Sequence, residues 1–365
     1  MQIVPDLVGF RDALDRARRD GVGVGLVPTM GALHAGHRSL IARAVAEQGH
    51  VAVSIFVNPL QFDRPEDLAG YPRTMEADLR ICESAGVRTL FVPSAEAMFP
   101  AGSATRVSVA GLGDRWEGAS RPGHFDGVAT VVAKLLCLAG PCAAYFGEKD
   151  FQQLALVRRM TVDLALAVDV VGCPTVRDAD GLALSSRNLR LSPDERRAAP
   201  VLWRALEVGR DAVAHGADRP DEVAAAMAAV VSAEPLARLD YAAAVDAGDL
   251  TVPASLSEPS AVRLLVAAEI GPVRLIDNCP APRPSEPAAT RTGDAAGDVV
   301  CAGVHGANRV ASRSSLRSTA AADGVAAAAA DIARVRSADV DVAMDAVARA
   351  DAPGADGASM DAREA

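Results

Sequence analysis

Two histidines three residues apart, His34 and His37, stand in the segment Pro28-Thr29-Met30-Gly31-Ala32-Leu33-His34-Ala35-Gly36-His37. At a strand-to-helix turn this spacing puts both rings on one side of the first helical turn. There they can meet one phosphate and donate hydrogen bonds as its negative charge grows. The backbone N–H groups of a helix start favour anions as well. A second turn of the same kind, Gly147-Glu148-Lys149-Asp150, offers a lysine able to reach triphosphate oxygens as a point charge, while Asp150 either caps the helix or meets a ribose. Of the 37 lysines and arginines, only Lys134 and Lys149 are lysine. Where nearly every basic position is arginine, a remaining lysine is one that needs a compact ammonium. Lys134 sits inside the amphipathic stretch VVAKLLCLAG and reads instead as a solvated or snorkelling stem. Leu184-Ser185-Ser186-Arg187 combines hydroxyls with a guanidinium fork, a match to polyphosphate geometry, although SSR by itself is also an ordinary serine-rich loop. Gln61 and Gln153 follow strand ends and carry both donor and acceptor. By residue type alone each reads as a solvent-exposed polar side chain.

These residues need a scaffold of strand ends, and the first half of the chain supplies one. Val22–Pro28, Val51–Val57, Thr89–Val92, Ala143–Phe146 and Val168–Val171 are short apolar runs stopped by turn residues, with Arg106–Val109 a further short candidate. Between them Gly36–Gln48, Glu76–Ala85, Gly127–Leu138 and Phe151–Leu166 carry apolar residues at helical spacing. Repeated β-α-β units with continuous apolar strands predict an α/β fold, a Rossmann-like parallel sheet with helices on both faces. Ligands of such sheets bind at the carboxyl ends of the strands. From Thr175 the pattern changes. Helices over Asp194–Ala214 and Pro220–Ala233, then strands over Asp240–Val245, Ala261–Ala268 and Val273–Ile276, predict a smaller α+β domain. The division expected is 1–174, 175–280 and a tail over 281–365. That tail has no Phe, Trp or Tyr and is rich in Ala, Gly, Asp, Ser and Arg, so it is expected to be mostly disordered, with Ala326–Ala350 as one Ala-rich helical stretch.

Composition narrows the classes. A net charge of -10 weighs against non-specific binding to nucleic acid or acidic membranes. No apolar run reaches the ~18 residues of a membrane helix, and the charged N-terminus lacks a signal-peptide pattern, so a cytoplasmic protein is expected. The 6 cysteines form no CxxC pair and read as reduced thiols. No Cys/His cluster suggests zinc, and neither a GxSxG nor a Cys-His pattern suggests a nucleophilic hydrolase.

The surroundings of these motifs resemble the pantothenate synthetases (pantoate–β-alanine ligases), a family of the HxGH nucleotidylyltransferase superfamily. Besides the histidine segment the matches are SIFVNPLQF at 54–62, YPRT at 71–74, RPGHFDGVATVV at 121–132, YFGEKDFQQL at 145–154, PTVRDADGLALSSRN at 174–188 and RLIDN at 274–278, in order over about residues 1–280. The resemblance implies ATP-dependent joining of pantoate to β-alanine through a pantoyl adenylate. It assigns His34, His37, Lys149 and Arg187 to catalysis. ATP contacts would come from Met30, Gly31, Ala32, Leu33, His34, Ala35, Gly36 and His37, from Gly147, Glu148, Lys149 and Asp150, from the main chain of Val176, and from Leu184, Ser185, Ser186 and Arg187. Gln61 and Gln153 would hold pantoate, with Gln61 also near β-alanine, and His124 receives no role. The family further implies Mg2+ with the triphosphate, no dedicated protein metal site, and a homodimer. Ala35 replaces the usual Glu of HEGH and Leu184 the usual Met before SSR, neither removing a proposed phosphate ligand. The tail has no GxxxxGK[ST] and so lacks the kinase that some relatives carry there. Two rival readings are another HxGH nucleotidylyltransferase and a non-catalytic nucleotide-binding relative.

Overall fold

The computed structural model describes residues 1–62 and 65–282. The expected tail, with its Ala326–Ala350 helix, lies outside the described residues apart from its first two positions. Nine strands form two sheets among the described residues. Strands β1 (Gln2–Val4), β2 (Val24–Thr29), β3 (His50–Ile55), β4 (Thr89–Phe91), β5 (Cys142–Gly147) and β6 (Val168–Cys173) make a parallel sheet in the order β1-β4-β3-β2-β5-β6. Strands β7 (Ala237–Asp246), β8 (Val262–Ile270) and β9 (Val273–Pro280) make an antiparallel sheet.

The apolar runs are continuous because both faces of the first sheet are covered. Successive residues point to opposite faces, so Leu26 joins one apolar cluster and Val27 another. The first cluster takes in the helices Leu7–Arg19, His124–Ala139 and Phe151–Asp163, and the second takes in Ala35–Glu47. In the smaller sheet Leu264 and Val266 pack with the helices Val201–Ala214 and Pro220–Ser232, whereas Leu265 between them belongs to the cluster under the parallel sheet. The two sheets therefore share packing through β8.

Strand order places the site. The chain leaves β2, builds outward through β3 and β4, then returns to lay β5 against the other side of β2. The connections after β2 and β5 thus diverge from neighbouring strands and leave a crevice at their carboxyl ends.

Two expected elements differ from the structure. Arg106–Val109 forms no strand: the Val107 N–H is taken by the Thr130 hydroxyl of a helix at 3.0 Å, which satisfies it without a ladder. Asp194–Ala214 is two helices, Pro193–Ala198 and Val201–Ala214, because Pro200 has no N–H to continue the first. The edge strand β1 and the helix Leu7–Arg19 have no counterpart in the sequence reading. The latter is capped by Asp6, whose carboxylate accepts from Gly9 N–H at 2.8 Å, and its Phe10 stacks on Phe91 of β4.

Candidate active site

The crevice is a cavity of about 740 Å³ at the carboxyl ends of β2 and β5, closed on its far side by β9 and the 184–190 segment. Met30, His34, Gly36, His37, Gln61, Gly147, Lys149, Asp150, Gln153, Val176, Leu184, Ser185, Ser186 and Arg187 all line it. Five other residues of the same motifs do not. Leu33 is buried in the core, Glu148 turns to Arg263, Gly31 and Ala32 form the turn behind His34, and Ala35 lies outside the lining.

The turn after β2 has φ +82° at Gly31 and +51° at Ala32, the left-handed region that costs an L-residue about 1–2 kcal/mol. Asp78, 1% exposed, holds it there. Its carboxylate accepts from Ala32 N–H at 2.9 Å, Leu33 N–H at 2.8 Å and the Thr74 hydroxyl at 3.2 Å. The N–H groups of Ala32 and Leu33 thus serve a protein carboxylate.

His34 is the N-cap of the next helix. Its Nδ1 accepts from Gly36 N–H at 3.2 Å, and Nδ1 of His37 accepts from His34 N–H at 3.3 Å. Both Nδ1 atoms are acceptors, which assigns the proton of each neutral ring to Nε2. The rings lie 4.2 Å apart. Burial, then the charge of neighbouring His34 and of Lys149, pushes His37 down to about 4; burial and Lys149 lower His34 as well. At neutral pH the pair is two uncharged Nε2–H donors.

Lys149 follows β5 in a single 3₁₀ turn, Glu148–Asp150. Asp150 occupies the N-cap position of the following helix without a side-chain cap bond, and its Oδ1 instead accepts from Lys149 Nζ at 3.4 Å. Lys134, expected to be a solvated or snorkelling stem, is half-buried: its Nζ donates to Met98 O and lies 5.5 Å from the Phe99 ring centre, a staple within the fold. The segment with Ser185, Ser186 and Arg187 leaves a small hairpin closed by Leu184 N–H to Val176 O at 2.9 Å.

Gln61 ends the 3₁₀ turn Pro59–Gln61, and its carboxamide oxygen accepts from Asn58 Nδ2 at 3.0 Å, while its Nε2 donates to Met30 Sδ at 3.0 Å. Its backbone carbonyl accepts from His124 Nδ1 at 2.8 Å and Arg121 Nη2 at 3.2 Å. Burial, then Arg121, lowers His124 to about 4, so it too is neutral. Gln153 and its buried neighbour Gln152 both line the cavity, and Gln152 Nε2 donates to Leu112 O and Arg115 O, both at 2.7 Å. Asp78, Asn58 and His124 are the supporting residues that motif reading passes over. Asn58 and His124 stand inside the matched motifs, where a buried Asn and a His are visible; Asp78 leaves no signal beyond helix polarity.

Chemically, the cavity gathers the ammonium of Lys149, the guanidinium of Arg187, hydroxyls, two imidazole donors and the carboxamides of Gln61 and Gln153. Such a set can bind anions and can pair with hydroxyl and carboxylate groups.

The family model for pantoate–β-alanine ligase matches residues 2–280. The chain belongs to that family. Among curated relatives, the pantothenate synthetase of Rubrobacter xylanophilus is 52% identical over 279 residues, covering 74% of this chain and 96% of its own. That of a Roseiflexus species is 49% identical, covering 76% and 99%. The crystal structure of pantothenate synthetase from Thermus thermophilus superposes with a TM-score of 0.72 at 49% identity, covering 76% of this chain and 99% of that one. A pantoate–β-alanine ligase from Francisella tularensis, at 34% identity and a TM-score of 0.63 over 77% of this chain and 97% of that one, was solved with β,γ-ATP and β-alanine. The Rossmann-like sheet and smaller antiparallel domain are thus those of pantoate–β-alanine ligases.

Proposed function

We propose that this protein is an ATP-dependent pantoate–β-alanine ligase working through a pantoyl adenylate. A pantoate carboxylate oxygen attacks the α-phosphorus of ATP and pyrophosphate leaves. The β-alanine amine then attacks the activated carbonyl carbon, loses a proton, and displaces AMP. The observation that carries the reading is the convergence of His34, His37, Lys149 and Arg187 with Gln61 and Gln153 on one cavity. Lys149, Arg187, Ser185 and Ser186 would hold the phosphates, and the two Nε2–H donors would follow the charge that develops on them. The main chain of Val176 would take the adenine. Gln61 and Gln153 would hold pantoate, so that proximity supplies much of the acceleration.

Among the described residues no group of three or more His, Cys, Asp or Glu could hold a metal. Around Lys149 stand the Asp150 carboxylate, the Ser185 and Ser186 hydroxyls and Arg187, a set that suits a magnesium ion held mainly by phosphate oxygens and not by a protein cage. Such an ion would supply neutralisation of triphosphate charge. A homodimer rests on the family resemblance, and a cytoplasmic location is the expectation drawn from the sequence. The division at residue 174/175 rests on the last parallel strand ending at Cys173. No described helix is long and apolar enough to cross a membrane.

Purified protein given ATP and pantoate should release pyrophosphate, and AMP should appear stoichiometrically with amide only after β-alanine is added. Pyrophosphate release with a different carboxylate, or a stable dinucleotide-like product, would favour another nucleotidylyltransferase. Binding of ATP without turnover would favour a non-catalytic relative.

A further inference from the structure

Lys149 lies on a three-residue turn with few bonds of its own, yet its use against a triphosphate requires a fixed backbone. The side chain that fixes it belongs to the other sheet. Asn278, near the end of β9 and 4% exposed, donates from Nδ2 to the carbonyls of both Glu148, at 3.0 Å, and Lys149, at 2.7 Å. Its Oδ1 accepts from Arg263 Nε of β8 at 2.7 Å. Flipping the carboxamide would set its oxygen against two carbonyls and its amino group against a cation, so the network allows one orientation. Arg263 is 6% exposed, has its Cζ over the Phe151 ring at 4.0 Å from the centre, and donates to Glu148 Oε2 at 3.1 Å. The preceding residue, Asp277, accepts Asn278 N–H at 2.7 Å and pairs in bidentate fashion with Arg177, at 2.5 and 2.9 Å. Arg177 stands in the hairpin that leads to Ser185 and Arg187.

We propose that Asn278 is a positioning residue for Lys149: by gripping the two carbonyls of its turn, it sets where the ammonium meets the transferring phosphates. Arg263 locks Asn278, and Asp277 ties the Ser185–Arg187 segment to the same point of β9. The two phosphate-binding elements, far apart in sequence, therefore share one anchor in the smaller domain. This inference rests on the assignment of Lys149 to the phosphates.

The test measures pantoyl-adenylate formation in a single turnover for the full chain, Lys149→Ala, Asn278→Ala and the double variant, and separately the aminolysis of supplied adenylate by β-alanine. A misplaced catalytic group costs on the order of a hundredfold, so Asn278→Ala should slow adenylate formation about that much and leave aminolysis within about twofold. Because the effect runs through Lys149, adding Asn278→Ala to Lys149→Ala should change the rate less than about twofold more. Should Asn278→Ala fail to fold, Asn278→Asp, which keeps the acceptor for Arg263 and removes the two donors, carries the same comparison. Equal losses in both backgrounds, or no loss in either Asn278 variant, would overturn the proposal while leaving the phosphate role of Lys149 standing. Full adenylate formation by Lys149→Ala alone would remove that phosphate role, and the positioning role with it.

Discussion

With Nδ1 of His34 and Nδ1 of His37 each accepting a backbone N–H, both imidazoles present Nε2–H without needing to gain a proton. Under the proposed function their contribution would belong to the step in which charge grows on the ATP phosphates. Loss of one such preorganised donor costs about 2.7–4 kcal/mol, roughly a hundred- to thousandfold in rate. His37→Ala should therefore cripple pantoate-dependent pyrophosphate formation yet leave the aminolysis of supplied adenylate nearly intact. Equal losses in the two half-reactions would place His37 in the fold or in acyl transfer. The two lysines offer a second contrast. A planar guanidinium cannot replace a compact charge between phosphate oxygens, so Lys149→Arg should slow adenylate formation at least tenfold, on the order of 1.4 kcal/mol. Lys134→Arg disturbs a staple to Met98 O and the Phe99 ring, and should lower thermal stability by about 1 kcal/mol with turnover unchanged. Steady-state rates and melting midpoints of the two variants separate these roles.

The helix His124–Ala139 and the turn Pro59–Gln61 meet at a glycine. A Cβ on Gly127 would stand 2.2 Å from Leu60 O and 2.7 Å from Gln61 N, backbone atoms that cannot yield cheaply. Gly127 O also accepts from Asn58 Nδ2 at 3.1 Å. Gly127→Ala should thus push the turn outward and carry Gln61 with it, raising the KM for pantoate about tenfold or more and costing about 1–3 kcal/mol in stability. An unchanged KM would mean that Gln61 does not read pantoate. Such contacts explain what is legible in the sequence and what is not. Strands β2, β3 and β5 are legible because sheets covered on both faces demand unbroken apolar runs, and the phosphate-side residues are legible because they stand at strand ends in compact motifs. β1 is not, since three residues on a sheet edge carry too little pattern. Asp78 and Arg263 are not either. Their work depends on partners 45 and 115 residues away, and no local spacing announces such a pairing. Pro200 is visible as a residue, yet the helical period runs on through both sides of it and hides the break.

At the scale of the molecule, several neutral histidines link folding to pH. His37 and His124 are held down to about 4 in the folded chain, against an ordinary value of 6.5, and His34 and His50 are lowered too. The unfolded chain binds these protons more readily, so this stabilisation is fully present above about pH 6.5 and is lost as pH falls toward 4. Each proton taken up on unfolding gives a slope of at most about 1.4 kcal/mol per pH unit. Urea unfolding between pH 7 and 5 should show stability falling with acidity, and His124→Gln should flatten the fall; parallel curves would mean that His124 titrates normally in the fold. The grip of Asn278 on the Lys149 turn has a further consequence, because a bond between two sheets transmits in both directions. Any ligand that favours the ordered turn must also favour the strand that holds it. ATP at a hundredfold excess over its dissociation constant adds about 2.7 kcal/mol to the states that bind it. Amide hydrogens of β9 that pair with β8, such as those at Leu275 and Cys279, should then exchange more slowly in the presence of nucleotide. Those of β1 and β4, on the far edge of the parallel sheet, should keep their local exchange rates. The smaller domain would register nucleotide occupancy through its own hydrogen-exchange protection, without any group on β7 touching the phosphates.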